Sequence, residues 1–274
     1  MNWPLTNEPL RIGIIGGGVV GRATARGWME HARVRVYDLY PPRATASFAD
    51  TLSSDILFLC LPTPAMQGEY VTASFDEFVA RYREVESRPS VIAVRSTVDV
   101  GYTRRLATML HDVPVVHNPE FLTARCAEAD YQTPARHLIG LTGSFIREVQ
   151  AFTLCIQLRW VGVKVLQMQS EESELSKLAT NAFFAQKVVF FNLVRKACEQ
   201  SGCDWDAVQK GILSDGRIAH AHTEVPGPDG QRGYGGTCLP KDMAAFGRTL
   251  PDDYRPLIRA IEKTNERLRG HACD

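Results

Sequence analysis

The sequence predicts an α/β domain built on a doubly wound parallel sheet, followed by an all-helical dimerisation and catalytic domain. Three observations carry that expectation. From Arg11 to about Val161 short apolar runs alternate with segments of helical period. A glycine-rich turn joins the first run to the first helix. After Gln169 the short runs give way to long amphipathic helices. Strict alternation of strand and helix implies parallel pairing, because a strand that returns in the same direction needs a crossover and a helix supplies it. Residues 1–168 are expected to form the first domain and residues 169–274 the second.

The strands are expected at RIGII (11–15), RVRVYD (33–38), DILFLCL (55–61), SVIAVRS (90–96), VPVVHN (113–118) and HLIGLT (137–142). Each is a short run rich in aliphatic residues, as strands covered on both faces are. VVGRATARGWMEHA and YTRRLATMLHD carry the helical period between them. SEESELSKLATNAFFAQKVVFFNLVRKACEQSG forms one long helix closing on Gly202, and Asp204 caps the next, DWDAVQKGIL. A glycine- and proline-rich loop runs from Asp215 to Leu239, a helix starts near Pro240, and YRPLIRAIEKTNERLRG is the last helix. The long helix bears Leu175, Leu178, Phe183, Phe184, Val188, Val189, Phe190, Phe191 and Leu193, more apolar surface than one small domain covers, so a homodimer is expected.

Composition excludes several function classes. The 31 basic and 31 acidic residues cancel, so no overall field draws nucleic acid or anionic lipid. The apolar runs are too short to cross a bilayer, and MNWPLTNEPLRIGIIGGG lacks the basic-then-apolar pattern of a leader, so a soluble cytoplasmic protein is expected. Seven scattered cysteines with no CxxC pair describe neither a disulfide framework nor a zinc ribbon. His220 and His222 lack a second cluster of ligands, and no metal site is expected.

GGGVVG directly follows the first strand and opens a helix, giving Gly16-x-Gly18-x-x-Gly21. Glycines at these places permit a tight turn, close approach of a pyrophosphate to backbone N–H groups at a helix N-terminus, and close packing of helix on strand. The second strand ends at Asp38, where a carboxylate can accept ribose hydroxyls and repel a 2′-phosphate. The first domain is therefore expected to be a Rossmann-type domain binding NAD rather than NADP.

A second constellation has a chemical character. GYGGTCLPKD (233–242) sets glycines before Cys238, then Pro240, Lys241 and Asp242. Lys177 and Asn181 stand four apart on one helix face, and Glu120 in NPEFL follows a strand at the carboxyl edge of the sheet, where ligands bind in such folds. RSTVDVG (95–101) follows another. A thiol at a helix start beside lysines is a nucleophile's environment.

Taken together and in this order, these blocks resemble the UDP-glucose/GDP-mannose 6-dehydrogenase family, from Arg11 to the last helix. The resemblance implies four-electron oxidation of a nucleotide sugar's primary alcohol, UDP-glucose to UDP-glucuronate by default. It implies Cys238 as nucleophile, Lys177 and Asn181 around the reacting oxygen, Asp242 and Thr97 positioning water, and Glu120 assisting hydrolysis. It implies cofactor contacts at Gly16, Gly18, Val19, Val20, Gly21, Asp38, Pro62, Thr63, Ser96, Thr97 and Lys241. Substrate contacts are implied at Glu120, Phe121, Leu122, Lys177, Asn181, Arg217, Tyr234, Gly235 and Gly236.

Three departures concern substrate binding. Family members continue into a second Rossmann-like domain that grips the nucleotide, so a short form lacking it is expected. Ala124 stands where the family has a second glutamate, and the spacing from Arg217 to the cysteine loop is unusual. The same chemistry on a different primary alcohol, a silent oligomerising binding protein, and a two-electron hydroxyacid dehydrogenase are the competing readings; Cys238 weighs against the last.

Overall fold

The computed structural model describes residues 8–66, 69–143 and 145–270. The leaderless N-terminus expected from the sequence and Cys273 lie outside the described residues. The described residues form two compact units, one of residues 8–66 with 70–177 and one of residue 69 with 178–270.

In the first unit the chain runs β1 (Arg11–Ile15), α1 (Val19–Trp28), β2 (Arg33–Tyr37), α2 (Phe48–Leu52) and β3 (Ile56–Leu59). A small two-stranded ribbon, β4 (Ala65–Met66) and β5 (Glu69–Tyr70), precedes α3 (Ala73–Glu84), β6 (Val91–Val94), α4 (Tyr102–Met109) and β7 (Val115–His117). Then come α5 (Ala127–Gln132), β8 (Arg136–Leu141), α6 (Ile146–Arg159) and β9 (Lys164–Gln169). The main sheet has seven strands in the order β2-β1-β3-β6-β7-β8-β9. Alternate residues feed two cores on its two faces: Ile56, Phe58, Val91 and Ala93 pack with Trp28 and Phe152, while Leu57, Leu59, Ile92 and Val94 pack with Phe75 and Tyr102. Burial on both faces explains why these strands are continuous apolar runs.

Two features depart from the expected sheet. β8 runs antiparallel to β7. The connection between them holds only α5, six residues or about 9 Å of helix, which joins α1 through a 3.0 Å bond from Trp28 Nε1–H to the Tyr131 hydroxyl. With no crossover running back along β7, the chain re-enters the sheet in the opposite sense. β9, parallel to β8, is an additional edge strand whose mixed sequence KVLQMQ lies half exposed.

His117 and His137 are buried in this unit at 1% and 4% exposure. Burial pushes both imidazoles down to about 3, with the nearby Arg95 cation acting in the same direction. The unfolded chain therefore binds about two more protons than the folded one between pH 6.5 and 3, and stability is lost as pH falls through that window. At 1.4 kcal/mol per pH unit for each group, the expected loss from pH 6.5 to pH 5 is about 4 kcal/mol. The urea midpoint at pH 7 and pH 5 checks this; an unchanged midpoint contradicts it.

The helix α7 (Ser170–Ser201) begins in the first unit and ends in the second, where α8 (Trp205–Leu213), α9 (Leu239–Thr249) and α10 (Arg255–Leu268) follow. It stops at Gly202 (φ 67°), with the Cys203 N–H donating to the Cys198 carbonyl at 3.0 Å, a glycine-terminated helix end. Asp204 caps α8 by accepting the Ala207 N–H at 2.7 Å. Ala182, Ala185 and Val189 of α7 pack with Tyr234, Met243, Ile258 and Ile261. Phe183, Phe190 and Leu193 remain 60%, 54% and 49% exposed. Among the described residues no helix is long and apolar enough to cross a membrane.

Candidate active site

The turn after β1 is shaped by close approaches. Gly16 has φ 98°, and a Cβ there would collide with the Cys60 carbonyl, while a Cβ on Gly21 would collide with the carbonyl of Gly16. α1 is thereby seated directly on the turn. At its N-terminus Gly18 faces open space, Val19 is 46% exposed and Val20 is half-buried. Asp38 stands just beyond β2, where its carboxylate accepts the Gly17 N–H at 2.6 Å and the Tyr40 N–H at 2.7 Å. These two bonds hold it at the loop, in the place where a ribose would lie if a dinucleotide were bound. Open amide donors at a helix start and a fixed carboxylate about 20 residues on fit a dinucleotide.

The carboxyl edge of the sheet is laced together around the next residues. Thr63 donates its hydroxyl to the Thr97 carbonyl at 2.8 Å, Ser96 donates to the Leu61 carbonyl at 2.7 Å, and the Pro62 carbonyl accepts the Ser74 hydroxyl at 2.8 Å. Beyond β7, Glu120 accepts the Leu122 N–H at 2.5 Å and stands 3.5 Å from the Lys177 ammonium. Their side chains are only 11% and 5% exposed. The ammonium lies 5.0 Å from the Phe121 ring centre, whose face is also covered by Arg136 at 4.0 Å. Glu120, Phe121, Leu122 and Lys177 are thus one cluster.

Sequence reading missed Arg95, which stands among the residues of that edge. It is 3% exposed, lies over the rings of Phe58 and Tyr131, and donates to Asn118 Oδ1 at 2.7 Å, two residues before Glu120. The signal available was a cation inside the otherwise apolar run SVIAVRS.

In the second unit, Asp242 is fully buried and accepts Asn181 Nδ2–H and the Lys241 ammonium, each at 2.6 Å. Its own N–H donates to the Cys238 carbonyl at 3.0 Å. Cys238 is exposed at the N-cap of α9, with the Thr237 hydroxyl 3.7 Å from its sulfur. Gly235 and Gly236 lead into it. The Tyr234 ring, expected at the substrate, is 4% exposed within the helical core, leaving its backbone as the part that borders the loop. Arg217 does not join this group: its side chain is 90% exposed and paired with Asp215 at 2.6 Å. α7 supplies Lys177 to the first cluster and, one turn later, Asn181 to the second.

Comparisons with known proteins agree on a family. Residues 43–150 match the NAD binding domain of the UDP-glucose/GDP-mannose dehydrogenase family, and residues 171–267 match its central domain. The first match begins just after the glycine turn and Asp38. The UDP-glucose 6-dehydrogenase of Rhizobium meliloti (strain 1021) is 34% identical over 225 residues, covering 77% of this chain and 49% of that protein. A solved UDP-glucose dehydrogenase from Pyrobaculum islandicum superposes with a TM-score of 0.82 at 25% identity, covering 96% of this chain and 69% of that one. A UDP-D-ManNAc dehydrogenase from Pyrococcus horikoshii gives 0.80 at 20% identity, over 94% and 69%, a likeness of fold. The chain spans about half the length of the curated relatives it matches. With an NAD-binding domain and a central helical domain both matched in order, the chain belongs to the UDP-glucose/GDP-mannose dehydrogenase family.

Proposed function

We propose that the chain catalyses NAD-dependent, four-electron oxidation of the primary alcohol of a nucleotide sugar, UDP-glucose to UDP-glucuronate. The observation that carries this reading is the connection of Cys238 to α7. The thiol is exposed at a helix start, and one turn on, the buried Asp242 is tied to Asn181, itself one turn from the Lys177–Glu120 pair. A simple alcohol dehydrogenase has no use for such a thiol.

NAD, held at the glycine turn, supplies the hydride acceptor for each of two oxidations. In the first, a water positioned by Asp242, Asn181 and Thr97 takes the proton of the sugar hydroxyl. The Cys238 thiolate then adds to the aldehyde: the S–C bond forms, the carbonyl π pair moves to oxygen, and Lys177 and Asn181 stabilise the oxyanion. Loss of the second hydride leaves a thioester. Glu120 takes a proton from the attacking water, the C–S bond breaks, and the acid leaves with the thiol restored.

Purified protein supplied with a panel of nucleotide sugars tests this. Two NADH per acid released are expected, and a ratio of one overturns the mechanism. One observation favours the second reading, a different primary alcohol. Of the three arginines suited to a diphosphate, Arg217, Arg232 and the exposed Arg125, the first two are engaged by Asp215 and Glu199. Calorimetry showing no saturation by any nucleotide sugar up to millimolar concentration would favour it.

The protein is proposed to act in the cytoplasm as a homodimer. Phe183, Phe190 and Leu193 recur on α7 with a spacing of seven and three, and a partner helix would cover them. The solution mass at micromolar concentration is expected to be that of two chains; a monomer mass contradicts this.

A further inference from the structure

The loop that delivers Cys238 is held by side-chain amides from two helices. Asn265 on α10 is 7% exposed and bonds both main-chain groups of Tyr234: its Oδ1 accepts the Tyr234 N–H at 2.7 Å and its Nδ2 donates to the Tyr234 carbonyl at 3.0 Å. Asn192 on α7, 1% exposed, accepts the Gly233 N–H at 3.2 Å and donates to the Val188 carbonyl of its own helix at 2.8 Å. The fit is close on the same side. A Cβ on Gly233 would come within 2.5 Å of Asn265 Oδ1, and one on Gly235 within 2.7 Å of the Arg269 guanidinium, itself paired with Asp229 at 3.0 Å.

A buried amide is costly to place unless its donors and acceptors are matched, and here two of its bonds go to one residue of the loop. The Tyr234 ring, packed in the helical core, fixes the same residue from its other end. Main chain, ring and flanking glycine are therefore all determined at 233–235. A Cβ on Gly236, by contrast, would meet nothing within 4 Å. Among the described residues, Tyr234 is the last before the thiol whose main chain is held by side-chain hydrogen bonds, and α9 begins just after the thiol.

We infer that Asn265 is a positioning residue for Cys238: its amide sets the course of the loop at Tyr234 and so the place of the thiol at the start of α9, with Asn192 as a weaker second hold. The inference rests on Cys238 being the nucleophile, but its physical content is the placement of the sulfur, which can be measured without substrate.

The test uses the full chain and the variants Asn265→Ala, Asn265→Asp and Asn192→Ala. Each is treated with iodoacetamide, in which the thiolate displaces iodide and forms the S–C bond, and labelling is followed peptide by peptide. Cys126 and Cys203 are also exposed and serve as internal references. In Asn265→Ala the Cys238 rate is expected to change by at least about threefold while Cys126 and Cys203 keep wild-type rates. A general loosening of the fold would move all three. Asn265→Asp keeps the acceptor for the Tyr234 N–H but faces the Tyr234 carbonyl with an oxygen, which is tolerated only when protonated. Its Cys238 rate relative to wild type is expected to return toward one as pH is lowered. Asn192→Ala is expected to produce a smaller change in the same direction as Asn265→Ala, and it remains informative if the alanine variant at 265 does not fold.

In turnover, Asn265→Ala is expected to lower kcat on the order of 10²-fold with NAD affinity unchanged, as misplacing a reacting group does. An unchanged Cys238 labelling rate in both position-265 variants overturns the inference, as does a parallel change at all three cysteines. If the wild type oxidises no nucleotide sugar, the functional reading fails while the labelling arm still decides the role of Asn265.

Discussion

Cys238→Ser is expected to keep its fold and its NAD affinity and to lose steady turnover on the order of 10³-fold or more. The thiol is on the surface of the second unit and its sulfur approaches only the Thr237 hydroxyl among the described bonds, so exchanging sulfur for oxygen disturbs little packing. The chemistry is another matter. A serine hydroxyl at neutral pH is far less nucleophilic than a thiolate, and an ester that did form would leave more slowly than a thioester in a site arranged for sulfur. The first oxidation does not require the thiol. The variant is therefore expected to yield at most one NADH per site and then stall. Iodoacetamide should inactivate the wild type, with substrate protecting it. Turnover by Cys238→Ser near the wild-type rate would remove the thioester and promote a two-electron dehydrogenase in its place.

Lys177→Met comes next in size. Methionine retains the apolar stem beside Phe121 and removes the ammonium, which is the cation facing both Glu120 and the proposed oxyanion. Losing one oxyanion-stabilising donor lowers kcat by about 10²- to 10³-fold. The same change leaves the Glu120 carboxylate, 11% exposed, without its cation, and stripping one partner from a buried pair costs on the order of 3 kcal/mol. The two effects separate when the double variant Lys177→Met/Glu120→Gln is read against Glu120→Gln alone, because Glu120 is itself the proposed base. Stability should return because no buried charge is left unpaired, while the rate should stay below that of Glu120→Gln. Thermal unfolding read beside kcat checks both, and a double variant that recovers stability and is as fast as Glu120→Gln would mean that Lys177 serves only to balance Glu120.

The legible parts of the sequence were those in which one local rule decides the outcome. Gly16 and Gly21 of the glycine motif specified the turn onto α1 because only glycine tolerates the approaches there, and Gly202 and Asp204 marked the end of α7 and the start of α8 through their own backbone and side-chain bonds. The antiparallel β8 was not legible, since the one short helix before it, α5, carries no apolar period long enough to mark it and packs on α1 through Trp28 and Tyr131, 103 residues apart. β9 escaped because an edge strand with one covered face lacks the apolar run that marked the others. In the candidate site, Cys238, Lys177, Asn181 and Asp242 stood out because the motifs that carry them, read together, resemble those of one family. Arg95, Asn192 and Asn265 did not, because their partners are main-chain groups or side chains distant in sequence, and no short pattern announces them.

α7 is unbroken through residues 177 to 181, and this places a restriction on how the gene can change length. One codon added between Lys177 and Asn181 would turn everything that follows by about 100° about the helix axis and advance it by about 1.5 Å. Lys177 and Asn181 would then stand five residues apart and no longer share one face of the helix. The glycine- and proline-rich stretch from 215 to 232 has no such phase to keep and can absorb insertions. Variation in length among functional descendants of this chain should therefore collect there and be absent from the five residues of the helix that join the two clusters.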